Sequence, residues 1–203
     1  MTEPAQFWEQ HYRAREQIWS GQANAVLVSV VEGVPPGRAL DLGCGEGGDA
    51  VWLASRGWDV TAVDISTTAV ERTSAAAAAA GVAVRAERHD LARSMPAGPY
   101  DLVSAQFLQS PVELPRASVL RRAAQTLAVG GLLLVVEHAS GPSWAPAGDG
   151  PAFPTPQETH ALLELAPPTW EVLHVKSVAR PVAGPGGQPG ELQDGVIALR
   201  RAG

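Results

Sequence analysis

Asp41, Glu46 and Asp64 stand around a glycine-rich turn. The apolar run Ala39-Leu40-Asp41-Leu42 leads into Gly43-Cys44-Gly45-Glu46-Gly47-Gly48, and a helical pattern follows. Glycine is required where the backbone takes unusual dihedrals or a ligand lies against it. Gly43, Gly45 and Gly48 satisfy the G-x-G-x-x-G spacing of dinucleotide sites. A pyrophosphate on this turn would meet the carboxylates of Asp41 and Glu46, which disfavour a dianion. The same carboxylates suit a ligand with a cationic amino group or a sulfonium. Asp64, at the end of the next strand, can accept from two ribose hydroxyls. Asp90, in His89-Asp90-Leu91, can accept from an exocyclic adenine amine, with the next amide facing the ring. S-adenosylmethionine combines these groups.

Positioning such residues requires strands that end beside one another. Buried strands are predicted at residues 38–42, 58–63, 82–88, 100–105 and 132–137, with helices near 49–55, 66–80 and 115–127 between them. Ser66 is the expected N-cap of the second of these helices and Gly81 its stop. This alternation predicts a parallel sheet covered on both faces, whose ligands lie beyond the carboxyl ends of the strands. Before it, Phe7, Trp8, Tyr12, Ile18, Trp19, Val26, Leu27 and Val30 recur at helical spacing, giving two helical pieces hinged at Ser20-Gly21. After it come a Gly/Pro-rich loop at 141–156, a short helix near 157–165, and strands at 170–178 and 195–200. A flexible segment at 181–194 is expected between those strands, which are read as an antiparallel pair closing the sheet.

The 203 residues, 45% apolar, suit a single domain. A net charge of -6 provides no field to gather phosphates, so nucleic acid is an unfavoured partner. One cysteine, Cys44, excludes an intrachain disulfide and a multi-cysteine zinc site, and no metal is expected. Without a targeting pattern or an apolar run of ~20 residues, the chain reads as cytoplasmic, with no membrane partner.

The run ALDLGCGEGGDAVWLASRGWDVTAVDIS resembles the first two motifs of the class I S-adenosylmethionine-dependent methyltransferases. Asp90-Leu91, Tyr100-Asp101-Leu102-Val103 and LAVGGLLLVV at 127–136 resemble the later ones in order and spacing. The N-terminal aromatic helix, the DLGCG core and the compact tail are similar to tellurite-resistance and thiopurine-type enzymes. The resemblance implies an α/β, Rossmann-like, doubly wound seven-stranded sheet, mostly parallel with an antiparallel last strand. It implies one domain: a helical lid at 1–34, a cofactor-binding core at 36–138, and a substrate loop with sheet-closing strands at 139–203. It further implies S-adenosyl-L-methionine as cofactor and a small-molecule methyl acceptor as partner. Carried over, Asp41, Gly43 and Gly45 line the methionine part, Asp64 binds the ribose, Ile65 packs on adenine, and Asp90 with Leu91 holds the adenine edge. Ala105 and Gln106 face the sulfonium, and Trp19 with Tyr12 belongs to the lid.

Some residues have two readings. Cys44 counts among the cofactor-binding residues as a small side chain filling the turn, not as a nucleophile. His138, after the fifth strand, is the candidate general base, or else a loop-start histidine bonded to backbone or water. His89 is expected to point away from the ligand edge, and Trp144 and Phe153 are candidate substrate walls. The competing functions are a nucleic-acid methyltransferase, an NAD-dependent oxidoreductase sharing the glycine spacing and Asp64, and a non-catalytic S-adenosylmethionine-binding protein.

Overall fold

The computed structural model describes residues 2–144, 153–184 and 186–203. Among them, strands β1 (Arg38–Leu42), β2 (Asp59–Asp64), β3 (Val84–Arg88), β4 (Tyr100–Gln106), β5 (Leu127–His138), β6 (Trp170–Ala183) and β7 (Pro189–Arg201) form one sheet in the order β3-β2-β1-β4-β5-β7-β6. β1 to β5 are parallel, and β7 runs antiparallel to both β5 and β6. The doubly wound sheet expected from the sequence is therefore the observed one. The helices are α1 (Glu3–Arg13), α2 (Ala25–Val31), α3 (Gly48–Ser55), α4 (Thr67–Ala79), α5 (Arg116–Gln125) and α6 (Pro156–Leu163).

Both faces of the sheet are buried, and the two-residue period of the strands divides the core in two. Leu40, Leu42, Val103, Leu133 and Val135 pack with Val119 and Leu120 of α5 and Leu163 of α6. Ala39, Val60, Leu102, Leu134 and Val136 pack on the opposite face with Leu27 of α2 and Leu53 of α3. Leu120, Leu133 and Leu134 are fully buried, and each such side chain contributes roughly 1.5–3 kcal/mol of transfer free energy. Strand order reverses between β1 and β4, so their outgoing loops diverge and leave a crevice beyond the sheet.

Two elements differ from the sequence expectation. Ile18 and Trp19 are not helical: α1 ends at Arg13, and residues 14–24 form an irregular connector. The cause is tertiary, because Arg72 of α4 donates through Nη2 to the carbonyls of Tyr12 (2.9 Å) and Arg15 (2.6 Å). These groups at the end of α1 would otherwise lack partners. The second difference is the segment 181–194. Residues 181–183 and 189–194 are strand, since β6 and β7 pair from Trp170↔Arg201 to Ala183↔Pro189 with one irregularity between Val172 and His174. Half of the loop expected at 141–156, residues 145–152, lies outside the described residues.

Glu9 of α1 anchors that helix to the start of α4. It accepts from the Ser66 hydroxyl (2.7 Å) and from the Thr68 hydroxyl (2.8 Å) and amide (3.2 Å). Ser66 meanwhile caps α4 by accepting from Ala69 N. Burial opposes the charge on Glu9, but these bonds and Arg13 outweigh it and hold the carboxyl at about 2. A negative charge at a helix N-terminus is favourable. Among the described residues, no helix is long and apolar enough to cross a membrane, and no cluster of side chains could hold a metal ion.

Candidate active site

Beyond the carboxyl ends of β1, β2, β4 and β5 lies a cavity of about 740 Å³, within the size range of small-ligand sites. Gly43, Cys44 and Gly45 form its floor. Gly43 takes φ 71° and Gly45 φ 56°. A Cβ on Gly43 would stand 2.7 Å from Leu108 Cδ1, and one on Gly45 would stand 3.1 Å from the Tyr12 hydroxyl. The turn is thus held by neighbours on both sides as well as by its own dihedrals. Cys44 is buried, its Sγ 3.5 Å from Thr73 Oγ1, and burial with the nearby Asp64 and Asp41 pushes its thiol up. That environment suits a filler, not a nucleophile.

Glu46 does not face the ligand space as a free carboxylate. Its Oε1 accepts from Arg72 Nη1 (2.6 Å), and its oxygens accept from the amides of Ile18 (3.0 Å) and Trp19 (2.8 Å). The charge argument drawn from Glu46 in the sequence is therefore corrected: its negative charge is spent on Arg72 and the connector. In return, the connector lies over the turn. A Cβ on Gly48 would come 2.9 Å from the Gln22 carbonyl, and Trp19 Nε1 lies 3.4 Å from the Tyr12 hydroxyl. Trp19, half exposed, lines the cavity with Tyr12 and residues 20–26.

Three other carboxyl groups lie around the turn. Asp64 accepts from Gly45 N (3.1 Å) and Ser66 N (2.9 Å), lines the cavity, and is raised by burial to about 6. Asp41 is buried behind the lining, and its Oδ2 has no partner among the described residues. Burial and the charges of Asp49 and Asp64 push it well above the carboxylate range. Asp49, which the sequence reading did not select, reaches the lining. It accepts from Asn24 N (2.6 Å) and is raised by burial to about 6. The signal for Asp49 was its place in the first turn of α3, directly after the glycines.

These raised values set a pH dependence. Between about pH 4 and 6 the folded chain binds protons at Asp64 that the unfolded chain has released, so the stability they confer is lost as pH rises through 6. For Asp64 alone, moving from 3.8 to about 6 corresponds to roughly 3 kcal/mol. Chemical denaturation of the ligand-free protein at pH 5 and pH 7.5 is expected to show the part of this loss that falls above pH 5, about 1.4 kcal/mol, and Asp64→Asn is expected to remove its share. An identical pH slope in the variant would contradict the buried charge.

Beyond β2 and β3, Ile65, Asp90 and Leu91 line the cavity. Asp90 is steadied by Ala92 N (3.1 Å) and by Arg93 Nε (3.4 Å). His89 also lines the cavity, contrary to the expectation that it points away, but Ser94 (2.9 Å) and Glu87 (3.1 Å) engage its ring nitrogens. Gln106 lines the cavity, whereas Ala105 does not. Strand alternation turns Ala105 into the core with Val103 and Val135, so its placement at the sulfonium is corrected. At the far end stand Phe107, Leu108, Gln109, Ser110, His138 and the hairpin residues Val178–Pro181 and Asp194. Trp144 is not part of this wall; it packs over Gly190. Phe153 has its ring 6.1 Å from His138.

Residues 39–131 match the family model described as a methyltransferase domain. A 68-residue stretch is 44% identical to probable thiol methyltransferase 2 of Arabidopsis thaliana, covering 32% of this chain and 30% of that one. A 73-residue stretch is 38% identical to ribosomal RNA small subunit methyltransferase C of Alcanivorax borkumensis, covering 34% of this chain and 22% of that one. The chain thus spans less than a third of the length of either relative. A solved structure concerned with converting a disulfide bond into a thioacetal group during echinomycin biosynthesis superposes with a TM-score of 0.75 at 20% identity. It covers 97% of this chain and 92% of that one, a likeness of fold.

Proposed function

Residues 39–131 match a methyltransferase domain, and from that premise we propose that the chain uses S-adenosylmethionine to transfer a methyl group to a small-molecule acceptor. The observation that carries the acceptor class is the size and lining of the cavity. Residues 19–26 border it on one side and residues 178–181 of the β6–β7 hairpin on another, around a volume of about 740 Å³ that suits small ligands. The acidic balance of the chain supports the same reading.

The residues fit the cofactor. Asp41 Oδ2 is a buried acceptor without a partner among the described residues, and Asp49 lies close enough to repel it. A cation resolves both penalties, and the ammonium of S-adenosylmethionine is such a cation. In this reading Gly43, Cys44 and Gly45 give backbone access to the methionine part, Asp64 accepts from the ribose hydroxyls, Ile65 covers the adenine, and Asp90 with Leu91 meets its edge. Gln106 borders the reacting end. Residues 1–34 act as the lid of the core at 36–138, and 139–203 contribute the acceptor wall. When bound, the cofactor supplies a methyl carbon on a positively charged sulfur, open to displacement by a lone pair in line with the carbon–sulfur bond. The chain's own task is to hold the acceptor in that line and exclude water, which can contribute ~7–11 kcal/mol.

Calorimetric titration is expected to show binding of S-adenosylmethionine and none of NAD. Binding of NAD alone would sink the reading. Labelled-methyl transfer to thiols, phenols, amines and tellurium or selenium oxyanions, run beside ribosomal RNA, separates the acceptor classes. Transfer to RNA alone would replace the small-molecule acceptor, and silence on the whole panel would favour a binding protein.

A further inference from the structure

Three strands place three ionisable side chains on one face at the far end of the cavity. His138 of β5 is in register with Asp194 of β7, which is in register with Val178 of β6, two residues from Arg180. The two-residue period of the strands therefore turns His138, Asp194 and Arg180 to the same side. Asp194, almost fully buried, accepts from Arg180 Nε (2.6 Å) and Nη2 (3.2 Å). Its Oδ1 lies 3.9 Å from His138 Nδ1.

His138 is fixed from several directions. Its amide donates to Gln109 Oε1 (2.7 Å), and its carbonyl accepts from Gln109 Nε2 (3.1 Å). Its ring stacks on Phe107 at 4.3 Å, and the Arg180 guanidinium lies 5.6 Å above Phe107 on β6's side. Phe107 takes φ 53°, an uncommon left-handed conformation for an aromatic residue. Its amide bond to the Val136 carbonyl (2.7 Å) helps hold it there. Strain at such a position is retained where the surroundings over-determine it. The ring's Nε2 has no hydrogen-bond partner among the described residues, and His138 lines the cavity. Around it are Phe107, Leu108, Leu114, Val178 and Pro181.

We propose that His138 Nε2 is the proton acceptor for the methyl acceptor, and that the chain takes flat, apolar thiols or phenols that arrive protonated. This rests on the methyltransferase reading above. In the step, the acceptor's O–H or S–H bond breaks, its electron pair stays on the oxygen or sulfur that takes the methyl, and the proton forms an N–H bond at Nε2. The imidazolium then loses that proton through its solvent-accessible edge. Asp194 is a positioning residue that stabilises the charged ring, while Arg180 holds Asp194 and limits its effect. Burial, the largest influence, lowers the histidine, Asp194 raises it and Arg180 lowers it, so the ring is neutral and able to accept a proton at neutral pH. Glu137, the neighbouring charge on β5, is engaged by Arg116 of α5 (2.6 Å).

The test uses acceptors matched in shape but differing in ionisation at the assay pH: alkylphenols against nitrophenols, and benzyl thiols against thiophenols. His138→Gln is expected to reduce kcat/KM at least 100-fold for the protonated members and less than tenfold for the ionised ones. Equal losses in both, or no turnover of any acceptor by protein that binds S-adenosylmethionine, would overturn the proposal. Failure to bind S-adenosylmethionine would instead overturn the methyltransferase reading. A readout independent of turnover is the titration of the His138 ring, followed by nitrogen NMR. Asp194→Asn is expected to lower its midpoint by about one pH unit and Arg180→Gln to raise it. Opposite signs cannot come from a general loosening of the hairpin, and a midpoint that moves in neither variant removes Asp194 from the role.

Discussion

Asp64→Ala is expected to weaken S-adenosylmethionine binding at least tenfold while leaving the ligand-free fold at least as stable at pH 7.5. The two effects separate because the carboxylate is costly without ligand and useful with it. In the free protein Asp64 is buried, raised to about 6, and ionised above that pH against the preference of its surroundings. Removing it relieves that cost, although the amides of Gly45 and Ser66 lose an acceptor. In the complex, a charged acceptor facing two hydroxyl donors is worth roughly 1.5–3 kcal/mol per bond, and 1.4 kcal/mol is about tenfold in affinity. Calorimetry gives the affinity and a denaturant melt gives the stability. Unchanged affinity would take Asp64 out of the binding site.

Glu46→Ala is expected to undock the N-terminal segment. The carboxylate receives Arg72 and the amides of Ile18 and Trp19, and its side chain is only 9% exposed. Truncation leaves a part-buried guanidinium without its carboxylate and two amides without their acceptor, a loss of about 3 kcal/mol on the scale of broken buried ion pairs. The loss should be local, because α1 and the connector meet the core through this junction, through Arg72 on the carbonyls of Tyr12 and Arg15, which the same truncation loosens, and through Glu9 on Ser66 and Thr68. Hydrogen exchange is expected to show lost protection across residues 3–24, with the strands of the sheet unchanged. Since residues 19–26 line the cavity, cofactor affinity should fall about tenfold as the closed form becomes less populated. Full protection of α1 in the variant would refute the latch. Glu46→Gln keeps the amide acceptor but not the charge, and so measures the share due to Arg72.

The parallel core was legible because each of its elements is local. The strand at 38–42, the glycine turn, the Ser66 cap and the helix stopped by Gly81 each carry their signal within a few residues, and the right-handed crossover rule assembles them. The same locality placed Asp64 and Asp90, since a residue just after a parallel strand must lie at the ligand edge. Ala105 shows the limit of that argument. The strand end was correctly located, but which of two adjacent residues faces the cavity depends on a one-residue phase that pairing with β5 sets.

What only the tertiary structure decided are the relations between residues far apart in the chain. Glu46 read as a free carboxylate because its partners, Arg72 and the amides of Ile18 and Trp19, lie 26 to 28 positions away. Residues 181–194 read as a flexible link because Gly and Pro are frequent there, yet cross-strand hydrogen bonds hold most of the segment in the hairpin. Pairing of β5, β7 and β6 then brings Asp194 and Arg180 to His138, an arrangement no local pattern encodes. Short-range preferences of the chain were enough to write the glycine turn and the strand ends around it into the sequence. The far end of the cavity depends on register between β5 and the β6–β7 hairpin, which are distant in the chain, and register is settled only when the sheet closes.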